Sequence, residues 1–141
     1  MSKVHWLALS TLRGVGGVTL RKLIERFGSV EAIFDASDAD LLCVPRITAD
    51  VVAHLRAISL NDLEAELTSL ADEGLQVVTW DDAIYPMNLK QVQNAPPVLF
   101  IRGELQERDT QAVAIVGTRQ PTSQAARLAE MLGRELAAHG L

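Results

Sequence analysis

The sequence predicts an α/β chain, in which an all-α N-terminal half is followed by helices alternating with short apolar strands in a mostly parallel sheet. Three observations carry that expectation. Leu20, Leu23, Ile24 and Phe27 recur at helical spacing just before Gly28. Downstream, the apolar runs 76–80, 98–101 and 113–116 read as strands bounded by turn residues, with helical patterns between and after them. Finally, 141 residues, 48% of them hydrophobic, with a mean hydropathy of +0.15, suffice to bury a core in one or two small domains. The expected division is a helical domain over 1–60 and the α/β part over 61–141.

Taken in order, Trp6, Leu7 and Leu9 belong to a first helix that packs on a second. The second helix follows the turn Leu12-Arg13-Gly14-Val15-Gly16, and Gly28 stands where a helix C-cap belongs. A second helical hairpin is expected next. Ser37 to Asp40 caps a short helix before Leu41 and Leu42, Val44-Pro45-Arg46-Ile47 turns, and Thr48 caps a helix bearing Val51, Val52 and Leu55. Ser59 to Asp62 opens a further helix with Leu60, Leu63, Leu67 and Leu70, ended by Gly74. After the strand 76–80 come Asp81-Asp82 and a loop through Tyr85-Pro86. Pro96-Pro97 precedes the strand 98–101, and a polar loop from Glu104 to Gln111 leads to the third strand. The last helix starts near Thr122 or Ser123, carries Ala125, Leu128, Ala129, Leu132 and Leu136 on one stripe, and stops at Gly140.

The net charge of −5 excludes a broadly basic nucleic-acid protein, but the two halves differ. Residues 1–60 hold seven Lys/Arg against six Asp/Glu, and residues 61–141 hold six against twelve. Arg13, Arg21, Lys22 and Arg26 gather around the first turn and its helix, so contact with a polyanion is expected to be local. No apolar run approaches the roughly 20 residues of a membrane-spanning helix. The stretch Trp6 to Leu9 is too brief for a signal-peptide core, and a cytoplasmic protein is expected. Cys43 has no partner cysteine for a disulfide or a zinc site and reads as a small buried apolar residue. Trp80 and Phe100, in strands of a chain that is only 4% aromatic, read as core; Tyr85 before Pro86 reads as a loop anchor.

The most informative stretch is Ala-Val-Ala-Ile-Val-Gly-Thr-Arg-Gln-Pro-Thr, residues 112–122. A β-type run delivers the chain to Gly117, which lets backbone approach a ligand without a Cβ. The helix that follows offers unpaired amides and the positive end of its dipole, and Arg119 supplies a planar fork of donors that fits phosphate. A phosphorylated ligand is the expectation for Gly117, Thr118 and Arg119. The competing reading pairs Arg119 with Glu130 or Glu135.

The N-terminal half resembles a helix-hairpin-helix module, through Gly-Val-Gly followed by Leu-Ile-Glu-Arg-Phe-Gly-Ser-Val-Glu-Ala-Ile. That resemblance implies that the first turn, with Gly14, Gly16 and nearby Lys22, holds a DNA phosphate without reading sequence. The same Gly-x-Gly also suits a purely structural hairpin with a tight helix crossing. Where family repeats have glycines, the second turn has Arg46 and Thr48, and it is expected to pack rather than bind. Further on, Tyr85-Pro86-x-x-Leu89, Pro96-Pro97-Val98-Leu99-Phe100-Ile101-Arg102-Gly103 and Val113-Ala114-Ile115-Val116-Gly117-Thr118-Arg119 occur in the order and spacing that open the extended Rossmann domain of the DprA/Smf family. The chain resembles the N-terminal part of that family over nearly its whole length.

The resemblance implies the opening strands and helices of a Rossmann-like sheet, truncated here by a chain end at Gly140-Leu141. It also implies binding of single-stranded DNA, RecA as a partner loaded onto that DNA, and a homodimer in the full-length protein. The Gly-Ser/Thr-Arg turn of the family's DNA pocket maps onto Gly117, Thr118 and Arg119. An enzymatic alternative, a nucleotide phosphoribohydrolase of the LOG type, starts from a similar strand and turn, but the later glycine-rich motif with catalytic arginine and glutamate does not occur in this chain. Nor do His5, His54 and His139 fall into a catalytic or metal-ligating spacing, so no catalytic residue, metal or cofactor is expected. A third reading makes the helical half a protein-docking module.

Overall fold

The computed structural model describes residues 3–141, apart from the Arg108 side chain, as two compact units, Met1–Glu104 and Leu105–Leu141. In the first unit the central element is α1 (Lys3–Thr11), whose Val4, Trp6, Leu7, Ala8 and Leu9 are all buried. A helix that is apolar on most of its circumference must be surrounded. It is, by α3 (Val30–Asp35), α6 (Leu60–Asp72) and a pair of strands.

Short turns join the helices in two successive pairs. Between α1 and α2 (Gly17–Phe27) the turn closes with Val15 N–H donating to Leu12 O at 3.2 Å, and Gly14 takes φ +84°. Between α4 (Asp38–Leu42) and α5 (Ala49–Ala57), Ile47 N–H donates to Val44 O at 3.1 Å, and Arg46 takes φ +74°. The second hairpin therefore repeats the first 32 positions on. Leu9 and Leu41, Leu12 and Val44, Val15 and Ile47, Leu20 and Val52, and Leu23 and Leu55 are matching buried pairs. Arg46 occupies the left-handed position that glycine fills in the first turn, a conformation that costs an L-residue about 1–2 kcal/mol. Ser29, Ser37, Thr48 and Ser59 cap α3, α4, α5 and α6 by accepting from the amide three residues on. Arg56 ties α5 to the α3–α4 connection through the Asp38 carboxylate at 3.0 Å and the carbonyls of Phe34 and Ala36.

The sheet departs from expectation. β1 (Leu75–Thr79) and β2 (Val98–Arg102) pair antiparallel, with Leu75 opposite Arg102 and Thr79 opposite Val98, instead of lying in a mostly parallel sheet. A parallel pair needs a crossover long enough to return the chain to the starting edge. The connection here holds only the single turn α7 (Met87–Lys90) and is folded on itself. The Asp82 carboxylate accepts from Thr79 N at 2.7 Å, the Lys90 ammonium donates to Trp80 O at 2.6 Å, and the Tyr85 hydroxyl donates to Pro96 O at 2.7 Å. Tyr85 is thus the anchor its place before Pro86 predicts. Its burial raises the hydroxyl pKa above the usual 10, with Trp80 and Arg21 beside it pulling the other way. Trp80 is buried as expected, whereas Phe100 is 51% exposed, although Val77 opposite it and Val98 two positions before it are buried. Cys43 is also exposed, at the C-cap of α4, not buried among its apolar neighbours.

The helical half and the strand pair share one core. Trp6 and Trp80 meet edge to face with centroids 5.7 Å apart, and the Trp6 indole donates to Asp81 Oδ2 at 2.8 Å. Lys3 reaches Val77 O at 2.6 Å and Asp82 at 3.5 Å.

The second unit begins with a 3₁₀ turn over Glu107–Gln111, closed by a capping box between Gln106 and Asp109. Residues 112–120 follow without pairing to any strand among the described residues, so the expected third strand is absent here. α8 (Ser123–Ala138) completes the unit, with Thr122 Oγ1 accepting from Ala125 N at 3.2 Å. Ile115 lies against Gly133 of α8, while Leu128, Met131 and Leu132 stay largely exposed. Among the described residues, no helix is long and apolar enough to cross a membrane.

Candidate nucleic-acid interface

The turn after residues 113–116 is exposed. Val116 is 89% exposed, and a Cβ added to Gly117 would meet nothing within 4 Å. Thr118 Oγ1 accepts from Gln120 N at 3.3 Å, a local bond that bends the chain before Pro121. Arg119 is exposed and makes no hydrogen bond or ion pair among the described residues. The competing pairing is not seen, since Glu130 is engaged by Arg134 at 2.9 Å, one helical turn on. α8 begins at Ser123, so Gly117–Arg119 precede its first turn instead of forming it, and one amide of that turn is already satisfied by Thr122. What the turn offers an anion is a free guanidinium and unshielded backbone.

The first-hairpin residues divide between packing and exposure. Gly14 is exposed with its positive φ and has open space around it. Gly16 is the N-cap of α2, where a Cβ would lie 3.0 Å from Asn94 Oδ1. Its neighbour Gly17 would place a Cβ 2.5 Å from Ala95 O, so the glycine pair lets the segment before β2 press on the start of α2. Lys22 is exposed and unpaired among the described residues, on the wall of a cleft of about 550 Å³. Across that cleft stand Lys90, Gln91 and Gln93, joined to α2 by Arg21, whose Nη2 donates to Lys90 O at 3.0 Å. Sequence spacing gave no sign of this juxtaposition, because its two walls are some 70 positions apart. The consecutive glycines 16 and 17 were the one available hint of close backbone approach. Arg26, counted with the same basic group, is 3.8 Å from Asp40. Among the described residues, no group of three His, Cys, Asp or Glu side chains is placed to hold a metal.

The β-hairpin and the open turn lie in a stretch characteristic of DNA recombination mediators: residues 76–141 match the family model of DNA recombination-mediator protein A. Protein Smf of Synechocystis sp. is 31% identical over 144 residues, which cover 98% of this chain and 36% of that protein. Both likenesses are to the DprA/Smf family. It spans about a third of the length of that curated relative. A shorter likeness, 38% identity over 55 residues, relates 39% of the chain to 10% of the UvrABC system protein C of Methanothermobacter thermautotrophicus. No solved structure matches significantly.

Proposed function

We propose that this chain is the N-terminal part of a cytoplasmic, single-stranded DNA-binding recombination mediator of the DprA type, acting in natural transformation and DNA processing and loading RecA onto the bound strand. In this reading Gly117, Thr118 and Arg119 receive a backbone phosphate. Gly117 leaves room for it, the Thr118 hydroxyl donates to an anionic oxygen, and the Arg119 guanidinium grips two oxygens at once. Residues 113–116 join further strands in a Rossmann-like, mostly parallel sheet of the full-length homodimer, which covers the apolar residues now exposed beside α8. The protein works by binding and positioning, with no catalytic group of its own.

The observation that carries this reading is the unpaired Arg119 in an open Gly-Thr-Arg turn. The test is fluorescence anisotropy of labelled oligo(dT) with the wild-type protein and Arg119→Ala. A bond between a charged group and a phosphate contributes about 1.5 kcal/mol, so the variant is expected to bind roughly tenfold more weakly. Equal affinity of the two proteins sinks the assignment. Turnover of a nucleoside monophosphate to free base and ribose phosphate would instead favour the phosphoribohydrolase reading.

A further inference from the structure

We propose that the cleft between α2 and the 90–93 segment is a second binding track for the phosphodiester backbone of a single-stranded polynucleotide, separate from the Gly117–Arg119 turn. Its lining carries three cations, Arg21, Lys22 and Lys90, against one carboxylate, Glu25, on a chain whose net charge is −5. The cations arrive from two distant parts of the sequence and are held together before any ligand comes. The Arg21 guanidinium lies 4.4 Å from the Trp80 ring centroid and donates to Lys90 O, while the Lys90 ammonium donates to Trp80 O. Both keep further donors, since a guanidinium has five and an ammonium three. Lys22 is wholly uncommitted among the described residues.

With Arg21 and Lys90 held in this way, Lys22 is the one cation of the cleft left to be ordered when the anion binds. The cleft's cations stand on both walls, Arg21 and Lys22 on α2 and Lys90 opposite, so that a phosphodiester chain passing between the walls meets charge from either side. The Gln91 and Gln93 amides on the opposite wall can donate to and accept from sugars and base edges, and half-exposed Val92 offers an apolar contact beside them. The choice of a polynucleotide over another polyanion rests on the family's role in DNA recombination; the cleft itself rests on geometry.

The test is anisotropy of fluorescein-labelled oligo(dT) at several salt concentrations, with thermal melts to confirm that each variant folds. Lys22→Glu and Gln93→Glu, at exposed positions that bear no part of the core, are each expected to weaken binding several-fold, and Gln91→Lys to tighten it. Lys22→Ala is expected to reduce the slope of log K against log salt by about 0.7, one phosphate contact on a single strand. Unchanged affinity and slope in these folded variants, with Arg119→Ala still weakening binding, would overturn the cleft and leave the Gly-Thr-Arg site standing. The converse, loss in the cleft variants with Arg119→Ala silent, would support the cleft and remove the turn. Equal affinity for polyglutamate of the same charge would overturn the polynucleotide assignment in favour of an acidic peptide.

Discussion

Two glycines of this chain that look alike in the sequence do opposite work. Gly17 is buried at the start of α2 with the Ala95 carbonyl where its Cβ would stand; Gly117 has empty space there and a φ outside the left-handed region. A methyl group at position 17 meets backbone on another segment, which cannot swing aside as a side chain tip would. Gly17→Ala is therefore expected to cost about 1–3 kcal/mol, read as a lower urea midpoint. Gly117→Ala should stay within about 0.5 kcal/mol of wild type in the same titration. The contrast bears on the first hairpin, whose glycines serve packing at 16 and 17 and conformation at 14. Lys22 and Arg119 are comparable in another way: each is a cation that no carboxylate among the described residues neutralises, in a chain with more acidic than basic groups.

Among the elements, the paired hairpins show how far local signals reach. Their caps, apolar spacing and turn lengths were legible residue by residue, because a cap acts within three positions and a helical stripe within four. The positive φ of Arg46 follows from the same repeat: the second turn is held in the form of the first by Val44 and Ile47, which are buried as Leu12 and Val15 are. Arg46→Gly relieves the left-handed strain and gives back some chain entropy to the unfolded state. The net expected gain is up to about 1 kcal/mol, measurable as a small rise in Tm. Segment 113–116 marks the other side of this rule. Its β-branched run is as strand-like as β2, yet strand propensity specifies a fit to a pleated surface and cannot supply the neighbour that completes the ladder. Phe100 illustrates the same limit, since a place in a strand does not say whether another segment covers it.

In the molecule as a whole, packing is continuous on both sides of residue 60. α1 is covered by α6 and by the strand pair as well as by α3, and Trp6, 2% exposed, is packed against Trp80 and bonded to Asp81. A piece comprising residues 1–60 would expose that tryptophan and its neighbours, at about 1.5–3 kcal/mol for each large apolar side chain. A chain of that length is already marginal. Such a piece is expected to melt without a cooperative transition by circular dichroism, whereas residues 1–104 are expected to melt as one unit. A sharp transition in the shorter piece would show that the hairpins are self-sufficient.

The sequence by itself determined where the helices other than α3 and α7 lie, where the chain can extend as β1 and β2, and that a Gly-Thr-Arg turn precedes the last helix; each is settled by interactions over a few residues. Only the tertiary structure decided that the two strands run antiparallel, that Cys43 and Phe100 face water, that Gly16 and Gly17 meet Asn94 and Ala95, and that Lys22 shares a cleft with Lys90. Those outcomes depend on segments brought together from some 70 positions apart. Which of them meet is fixed by the joint packing of the core, to which no single stretch of sequence holds the key.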